Sequence, residues 1–213
     1  MSLHTEINLS SKFQFWYDFA SPYAFLSAMR IEELSKPSGV EVEWRPFLLG
    51  PIFRSHGWDT SPFNIYEAKG RYMWRDVARR SARYGVAFRK PSEFPRNGVL
   101  ASRVALAFGD HERRVLFSKL VFSANFTEDR DISQEPVIAS LLESLGEEAG
   151  NILTSAVSGE NAGRLRLATE EATGKGIFGA PSFLAGEELF WGDDRLEDAL
   201  EWFARAGESP YDR

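Results

Sequence analysis

From residue 13 to residue 19 the chain reads Phe-Gln-Phe-Trp-Tyr-Asp-Phe, with Phe13, Phe15, Tyr17 and Phe19 at every second position. That is the period of a strand with one well-buried face. Ser21-Pro22 comes next. Serine is a favoured N-cap, and proline suits the first helical position because its missing N–H would have had no partner there. Ala24, Phe25, Leu26, Ala28, Met29, Ile31 and Leu34 make the predicted helix apolar over most of its girth, and Pro37-Ser38-Gly39 ends it. Strict alternation over 40–45 predicts a second strand. Such a strand–helix–strand unit joins parallel strands through a right-handed crossover.

After Gly50 the period changes. Loop signals at Gly57 and Ser61-Pro62 lead into a helical pattern over 63–84. Gly85, Pro91 and Pro95 mark a connection, and helices are predicted over 101–108, 112–124, 135–145 and 162–173. No strand pattern interrupts this block. Strand character returns over 181–184 and 188–191, on either side of Ala185-Gly186-Glu187, which reads as a hairpin. The pattern over 195–206 is an amphipathic helix with Leu196, Ala199, Leu200 and Phe203 on one face. With the helical block set aside, the order βαβ then ββα is the thioredoxin topology. The predicted class is therefore α/β, a thioredoxin-like fold with a large all-helical insertion between its halves. Residues 12–50 and 174–213 are expected to form the thioredoxin-like domain, and 51–173 the helical insertion.

Composition narrows the chemistry. Of 213 residues, 43% are hydrophobic and 26% charged, an ordinary globular balance. The net charge of −6 argues against a protein built to hold phosphate backbones, so nucleic acid is not an expected partner. There is no cysteine, which removes disulfides, thiolate-bound zinc, iron–sulfur clusters and dithiol redox chemistry. Only His4, His56 and His111 could serve a histidine site, and they are far apart in the chain; no metal is expected. No apolar run approaches the roughly 18–20 residues that span a bilayer, and the first residues lack the apolar core of a signal peptide. The expectation is a soluble, cytoplasmic protein without membrane partners. Arg71, Arg75, Arg79 and Arg83 recur every four residues and form a basic stripe on one helix face. Glu67 and Asp76 nearby favour a solvated or interface role for it over nucleic-acid binding.

Three short segments could carry chemistry. In a thioredoxin topology the reactive point lies where the first strand meets the first helix, here Asp18-Phe19-Ala20-Ser21-Pro22-Tyr23. A redox member would place two cysteines there; this chain places Ser21, whose plain role is helix capping. In Gly179-Ala180-Pro181-Ser182, the proline occupies the position that is cis in this topology and faces the first helix. Its predecessor, Ala180, can then offer backbone groups to an extended peptide. Trp191-Gly192-Asp193-Asp194-Arg195 ends the hairpin, and its acids either cap the last helix or hold the charged end of a small peptide.

Taken together, these segments resemble the 2-hydroxychromene-2-carboxylate isomerase family, relatives of the kappa-class glutathione transferases and of DsbA-type proteins. The matching stretches are Tyr17 to Tyr23, Pro62-Phe63-Asn64, Lys69-Gly70-Arg71-Tyr72, Phe178 to Phe183 and Trp191 to Arg195, in family order from about Lys12 to Trp202. The resemblance implies glutathione as a catalytic cofactor. By similarity, Ser21 is the catalytic residue and hydrogen-bonds the glutathione sulfur. A hydroxyl donor and a helix N-terminus both favour a thiolate over a thiol whose free pKa is about 8.5. Asn64, Ala180, Pro181, Trp191, Gly192, Asp193 and Asp194 fall on glutathione-holding positions, with Ala180 pairing by backbone to the cysteinyl unit and Asp194 taking the γ-glutamyl ammonium. Arg54 and Phe94, with Pro95 and Asn97 beside them, fall roughly where relatives contact an aromatic carboxylate substrate.

The implied reaction is isomerisation of 2-hydroxychromene-2-carboxylate-type acids: thiolate addition, ring opening, bond rotation and elimination. A kappa-like transferase would use the same glutathione residues and release the adduct. A non-catalytic glutathione-binding protein of the same fold would need neither Ser21 nor the Asp193-Asp194 pair. Similarity also implies a homodimer.

Overall fold

In the computed structural model, which describes residues 12–205, the first strand β1 spans Phe13–Tyr17. Phe13, Phe15 and Tyr17 enter the main core, as their alternation predicts. Trp16 is equally buried on the opposite face, among Phe47, Ile52, Ile177 and Leu184. A strand covered on both faces lies inside a sheet, and β1 does. It pairs in parallel with β2, Val42–Pro46, and antiparallel with β3, Ser182–Ala185. β3 pairs antiparallel with β4, Glu188–Trp191, giving the order β2-β1-β3-β4.

Between β1 and β2 the single expected helix is broken in two. α1 spans Pro22–Ala28 and α2 spans Ile31–Ser35, followed by a 3-10 turn at Lys36–Ser38. Neither proline nor glycine marks the break. Arg30 stands at it, its guanidinium held by Asp193, by Glu197 and by the face of the Tyr84 ring. Those partners lie far along the chain, outside the reach of periodicity.

Between β2 and β3 every regular element is a helix and no strand intervenes, as predicted. It contains α3 (Leu49–Ser55), α4 (Pro62–Ile65), α5 (Glu67–Tyr84), α6 (Val99–Ala107), α7 (His111–Phe126), α8 (Glu135–Ser144), α9 (Ala149–Ala156) and α10 (Gly159–Gly174). α3 and α9 are additions to the sequence reading. Gly50-Pro51 looks like a loop signal, yet both residues sit in the first turn of α3, where a missing N–H costs no helical bond. Tyr66 splits the expected 63–84 helix into α4 and α5. After β4, a 3-10 turn at Asp193–Arg195 leads into α11, Leu196–Arg205. Residue 206, where the expected helix ended, lies outside the described residues. No helix of the described residues is long and apolar enough to cross a membrane.

Two packing features place the site. An aromatic chain runs through Trp44, Phe15, Tyr17, Phe19 and Phe122, with successive rings about 5 Å apart, and the Tyr17 hydroxyl meets Ser118 Oγ at 2.8 Å. It anchors the carboxyl end of β1 to α7. The second feature is Gly70, where a Cβ would stand 2.3 Å from the Phe63 carbonyl oxygen. Glycine inside a helix costs about 1 kcal/mol relative to alanine. Here it lets α4 lie tight against α5, which sets the position of Asn64.

Candidate active site

Past β1 the chain turns through Asp18-Phe19-Ala20 into α1, and Ser21 is the N-cap. Its Oγ accepts the Ala24 N–H at 3.2 Å and donates to the Ala180 carbonyl oxygen at 2.8 Å. The plain capping role and a cross-chain bond thus belong to the same atom. Trp16 lies opposite Ser182 in the sheet, which brings Ala180-Pro181 to the β1–α1 turn. The Ala180–Pro181 bond is cis, as the topology predicts, and Phe94–Pro95 is a second cis bond that the sequence reading did not anticipate.

Two buried polar side chains hold this turn. Asp18 accepts the Ala20 N–H on Oδ1 at 2.8 Å and the Leu49 N–H on Oδ2 at 2.7 Å. It therefore fixes the turn and starts α3, whose own N-cap residue, Leu48, has no side-chain acceptor. Burial raises the Asp18 carboxyl above the usual carboxylate range, against the pull of those two N–H groups. Asn125 donates from Nδ2 to the Phe19 carbonyl at 3.0 Å. Sequence reasoning assigned a role to neither residue. Signals existed: Asp18 is an acid inside an apolar run, and Asn125 shares the core face of α7 with Phe122 and Phe126.

The far wall is built from the ends of β3 and β4. The Gly192 N–H donates to the Pro181 carbonyl at 3.0 Å, and Ser182 Oγ donates to the Gly179 carbonyl at 2.9 Å. Gly179 lies against the Trp191 indole so closely that a Cβ would be 2.3 Å from Nε1. Trp191 and Phe178 are each about half exposed and pack edge to face at 4.8 Å between ring centres. They form an open aromatic rim beside Ala180.

The side chains of the two acids that follow point to different surroundings. Asp193 is 1% exposed, and its carboxylate accepts from Ser27 Oγ at 3.0 Å, Arg80 Nε at 2.8 Å and Arg30 Nη1 at 3.5 Å. Burial raises its carboxyl and the two arginines oppose that rise. Two guanidiniums drawn inward need a counter-charge, and Asp193 is consumed in supplying it. Asp194 is the outward acid, exposed and 3.2 Å from Arg195.

Asn64 Nδ2 donates to the Phe94 carbonyl at 3.1 Å and to Thr60 Oγ1 at 3.2 Å. The structure thus joins Asn64 to Phe94, residues 30 apart in sequence. The Phe94 ring packs edge-on against Trp74 at 4.9 Å. Asn97 Oδ1 accepts the Val99 N–H at 2.9 Å and so helps start α6, while Pro95 is exposed. Arg54 is exposed on the last turn of α3, the helix whose first turn Asp18 anchors. Among the described residues Arg54 forms no ion pair, and no hydrogen bond joins it to the Ser21 or Asn64 groups. The four arginines of the α5 stripe are all exposed, with Arg71 paired to Glu67 and Arg79 to Asp76. No three His, Cys, Asp or Glu side chains converge as a metal site among the described residues.

Residues 12–203 match the DSBA-like thioredoxin domain family. The chain belongs to that family. Among curated relatives, this DsbA-like chain is similar to the 2-hydroxychromene-2-carboxylate isomerase of Sphingobium xenophagum, 24% identical over 190 residues, covering 89% of this chain and 96% of the relative. It is also similar to glutathione S-transferase kappa 2 of Caenorhabditis elegans, 21% identical over 211 residues, covering 92% and 93%. Among solved structures, a 2-hydroxychromene-2-carboxylate isomerase superposes with a TM-score of 0.83 at 23% identity, covering 92% of this chain and 98% of that one. Each match runs nearly end to end, so the DsbA-like fold includes the helices between β2 and β3. Dithiol chemistry, however, has no residues here, because the chain has no cysteine.

Proposed function

We propose that the protein is a glutathione-dependent isomerase of 2-hydroxychromene-2-carboxylate-type aromatic acids. The observation that carries this reading is the 2.8 Å bond from Ser21 Oγ to the Ala180 carbonyl. It sets the Ser21 hydroxyl, in a chain without thiols, against the segment best placed to receive a peptide backbone. The named relatives, an isomerase and a glutathione transferase, support the same assignment.

The residues present suit a small acidic peptide carrying a thiol. The Ala180 carbonyl has a second lone pair beyond the one Ser21 uses. Trp191 and Gly192 supply the rim, Asn64 a side-chain amide, and Asp194 an outward carboxylate for an ammonium group. Asp193 serves this set indirectly, by clamping the Gly192–Arg195 turn onto Arg30 and Arg80. Bound glutathione would supply a thiolate, which adds reversibly to an electron-poor ring system. The Ser21 hydroxyl turns freely about its Cβ–Oγ bond, so its proton can pass from the Ala180 carbonyl to a sulfur anion. For the aromatic acid, Arg54 supplies a cation, Phe94 a flat wall braced by Trp74, and Pro95 and Asn97 the adjoining rim. A cytoplasmic homodimer completes the reading.

The test has two parts. Glutathione should raise the melting temperature, since a ligand bound only by the folded state stabilises by about 2.7 kcal/mol at a hundredfold excess over Kd. Hydroxychromene carboxylates should convert to trans benzylidenepyruvates with glutathione required in catalytic amount only. A kappa-like transferase, suggested by the Caenorhabditis elegans relative, would consume one glutathione per turnover and leave an adduct. Absence of both conversion and adduct would overturn the enzymatic reading.

A further inference from the structure

The Ser21 turn and the Phe94–Gly98 loop belong to distant parts of the sequence, and one pair of side chains joins them. Asn125 is 1% exposed near the end of α7. Its Nδ2 donates to the Phe19 carbonyl at 3.0 Å, and its Oδ1 accepts from Arg96 Nη1 at 3.1 Å. Arg96 is buried as well, and its guanidinium also donates to the carbonyls of Arg130 at 2.9 Å and Asp129 at 3.3 Å, to Ser92 Oγ at 3.1 Å and to the Asp129 carboxylate. An arginine can only donate and a carbonyl can only accept, so the residue between them must do both, in one orientation. A side-chain amide does this; a carboxylate or an apolar side chain of the same size does not. The two segments also touch directly, since a Cβ at Gly98 would come within 3.1 Å of Phe19 Cβ. Arg96 Nε is buried without a partner, but both Nη groups of the guanidinium and both ends of the Asn125 amide are engaged, and a buried network so engaged is stiff.

We infer that Asn125 is a positioning residue: the chain Arg96–Asn125–Phe19 holds the Phe94–Gly98 loop and the Ser21 turn in one fixed relation. The inference rests on the reading of Ser21 and Phe94 given above, in which one side addresses a sulfur and the other an aromatic acid. Their spacing then decides how reacting atoms meet, and a misplacement of about 1 Å can cost on the order of a hundredfold in rate.

Asn125→Asp is the sharp variant. It gives Arg96 a charged acceptor in place of the neutral amide oxygen but sets a carboxylate oxygen against the Phe19 carbonyl. Asn125→Ala removes both bonds. The expected result for Asn125→Asp is a fall in kcat of about tenfold or more, with KM for glutathione within about twofold of the parent, as for loss of one positioning hydrogen bond. Amide hydrogen exchange supplies a readout independent of activity. In both variants the amides of Ala20 and Ser21 and those of residues 96–98 should gain exchange together, while residues 115–122 of α7 keep their protection. Unchanged exchange at both loops, or loosening of one loop without the other, would overturn the inference. If the parent protein proves inactive on hydroxychromene carboxylates, the functional reading fails on that result, and the exchange comparison still decides the coupling.

Discussion

Ser21 Oγ and the Ala180 carbonyl oxygen stand 2.8 Å apart across 159 residues of sequence, and the same Oγ caps α1 by accepting the Ala24 N–H at 3.2 Å. One hydroxyl therefore fastens the first half of the sheet fold to the second. Its single proton points at Ala180, and giving it to a sulfur anion exchanges a neutral acceptor for a charged one. Hydrogen bonds to charged groups contribute about 1.5–3 kcal/mol, against about 1 kcal/mol for a neutral pair, so the exchange favours the anion.

Ser21→Ala should raise the pKa of bound glutathione and lower turnover by about one to two decades, while glutathione affinity changes little. Losing the cap should also cost on the order of 1 kcal/mol of stability, so assays belong below the variant's melting range. Ultraviolet titration of the thiolate beside turnover measurements checks this. An unchanged thiolate pKa with unchanged turnover would reduce Ser21 to a cap and a strut.

Gly179→Ala should expel the Trp191 indole from its seat, because the new methyl would overlap Nε1 at 2.3 Å. The expected outcomes are a shifted tryptophan emission spectrum and glutathione binding weaker by about tenfold, equivalent to about 1.4 kcal/mol. Fluorescence and calorimetric titration read both. Parental affinity together with an altered emission would remove Trp191 from the glutathione rim.

Neighbouring acids should behave as opposites. Asp193→Ala leaves Arg30 and Arg80 without their buried counter-charge and should destabilise the fold by about 3 kcal/mol. Asp194→Ala touches only an exposed pair, worth less than about 1 kcal/mol, and should instead reduce the melting shift produced by glutathione. Denaturant titration of both variants, with and without glutathione, separates the roles. Equal stability losses in the two would contradict the inward placement of Asp193.

Acid should loosen the Arg96 anchor. The Ser92 backbone N–H, Arg96 and the Ser92 hydroxyl together hold the Asp129 carboxyl down at about 2, below the usual 3.8. A carboxylate depressed in the folded state stabilises fully above its unfolded pKa and loses that stabilisation as pH falls toward the folded one. The parent should therefore exceed Asp129→Asn in stability above about pH 4, and the gap should close between about pH 4 and pH 2. Asparagine tolerates the left-handed backbone at this position, where φ is 59°, so the comparison isolates charge. Melting curves across that range provide the measurement, and a pH-independent gap would exclude a carboxylate role for Asp129.

Much of the architecture was legible because its causes are local. Alternation in Phe13–Tyr17, the Ser21-Pro22 start, the apolar stripe of α11 and the Gly186 turn each act within a few residues, and each appears where the pattern puts it. Ser21 and Ala180-Pro181 likewise occupy positions that the βαβ–ββα order brings to one end of the inner strands β1 and β3. α3 was missed because Gly50-Pro51 signals a loop in isolation, whereas the Asp18 carboxylate supplies the missing start from another strand.

By itself, then, the sequence determined the order of strands and helices, the exclusion of dithiol chemistry by the protein's own side chains and the placing of Ser21 and Ala180-Pro181 in the thioredoxin topology. Only the tertiary structure decided which acid faces outward, that Asn64 meets Phe94, and that Asp18 and Asn125 hold the Ser21 turn. The reason is physical. A buried charge or amide takes its direction from whichever partner can satisfy it, and those partners lie 106 residues apart for Asn125 and Phe19, and 163 for Arg30 and Asp193. Local periodicity carries no record of them.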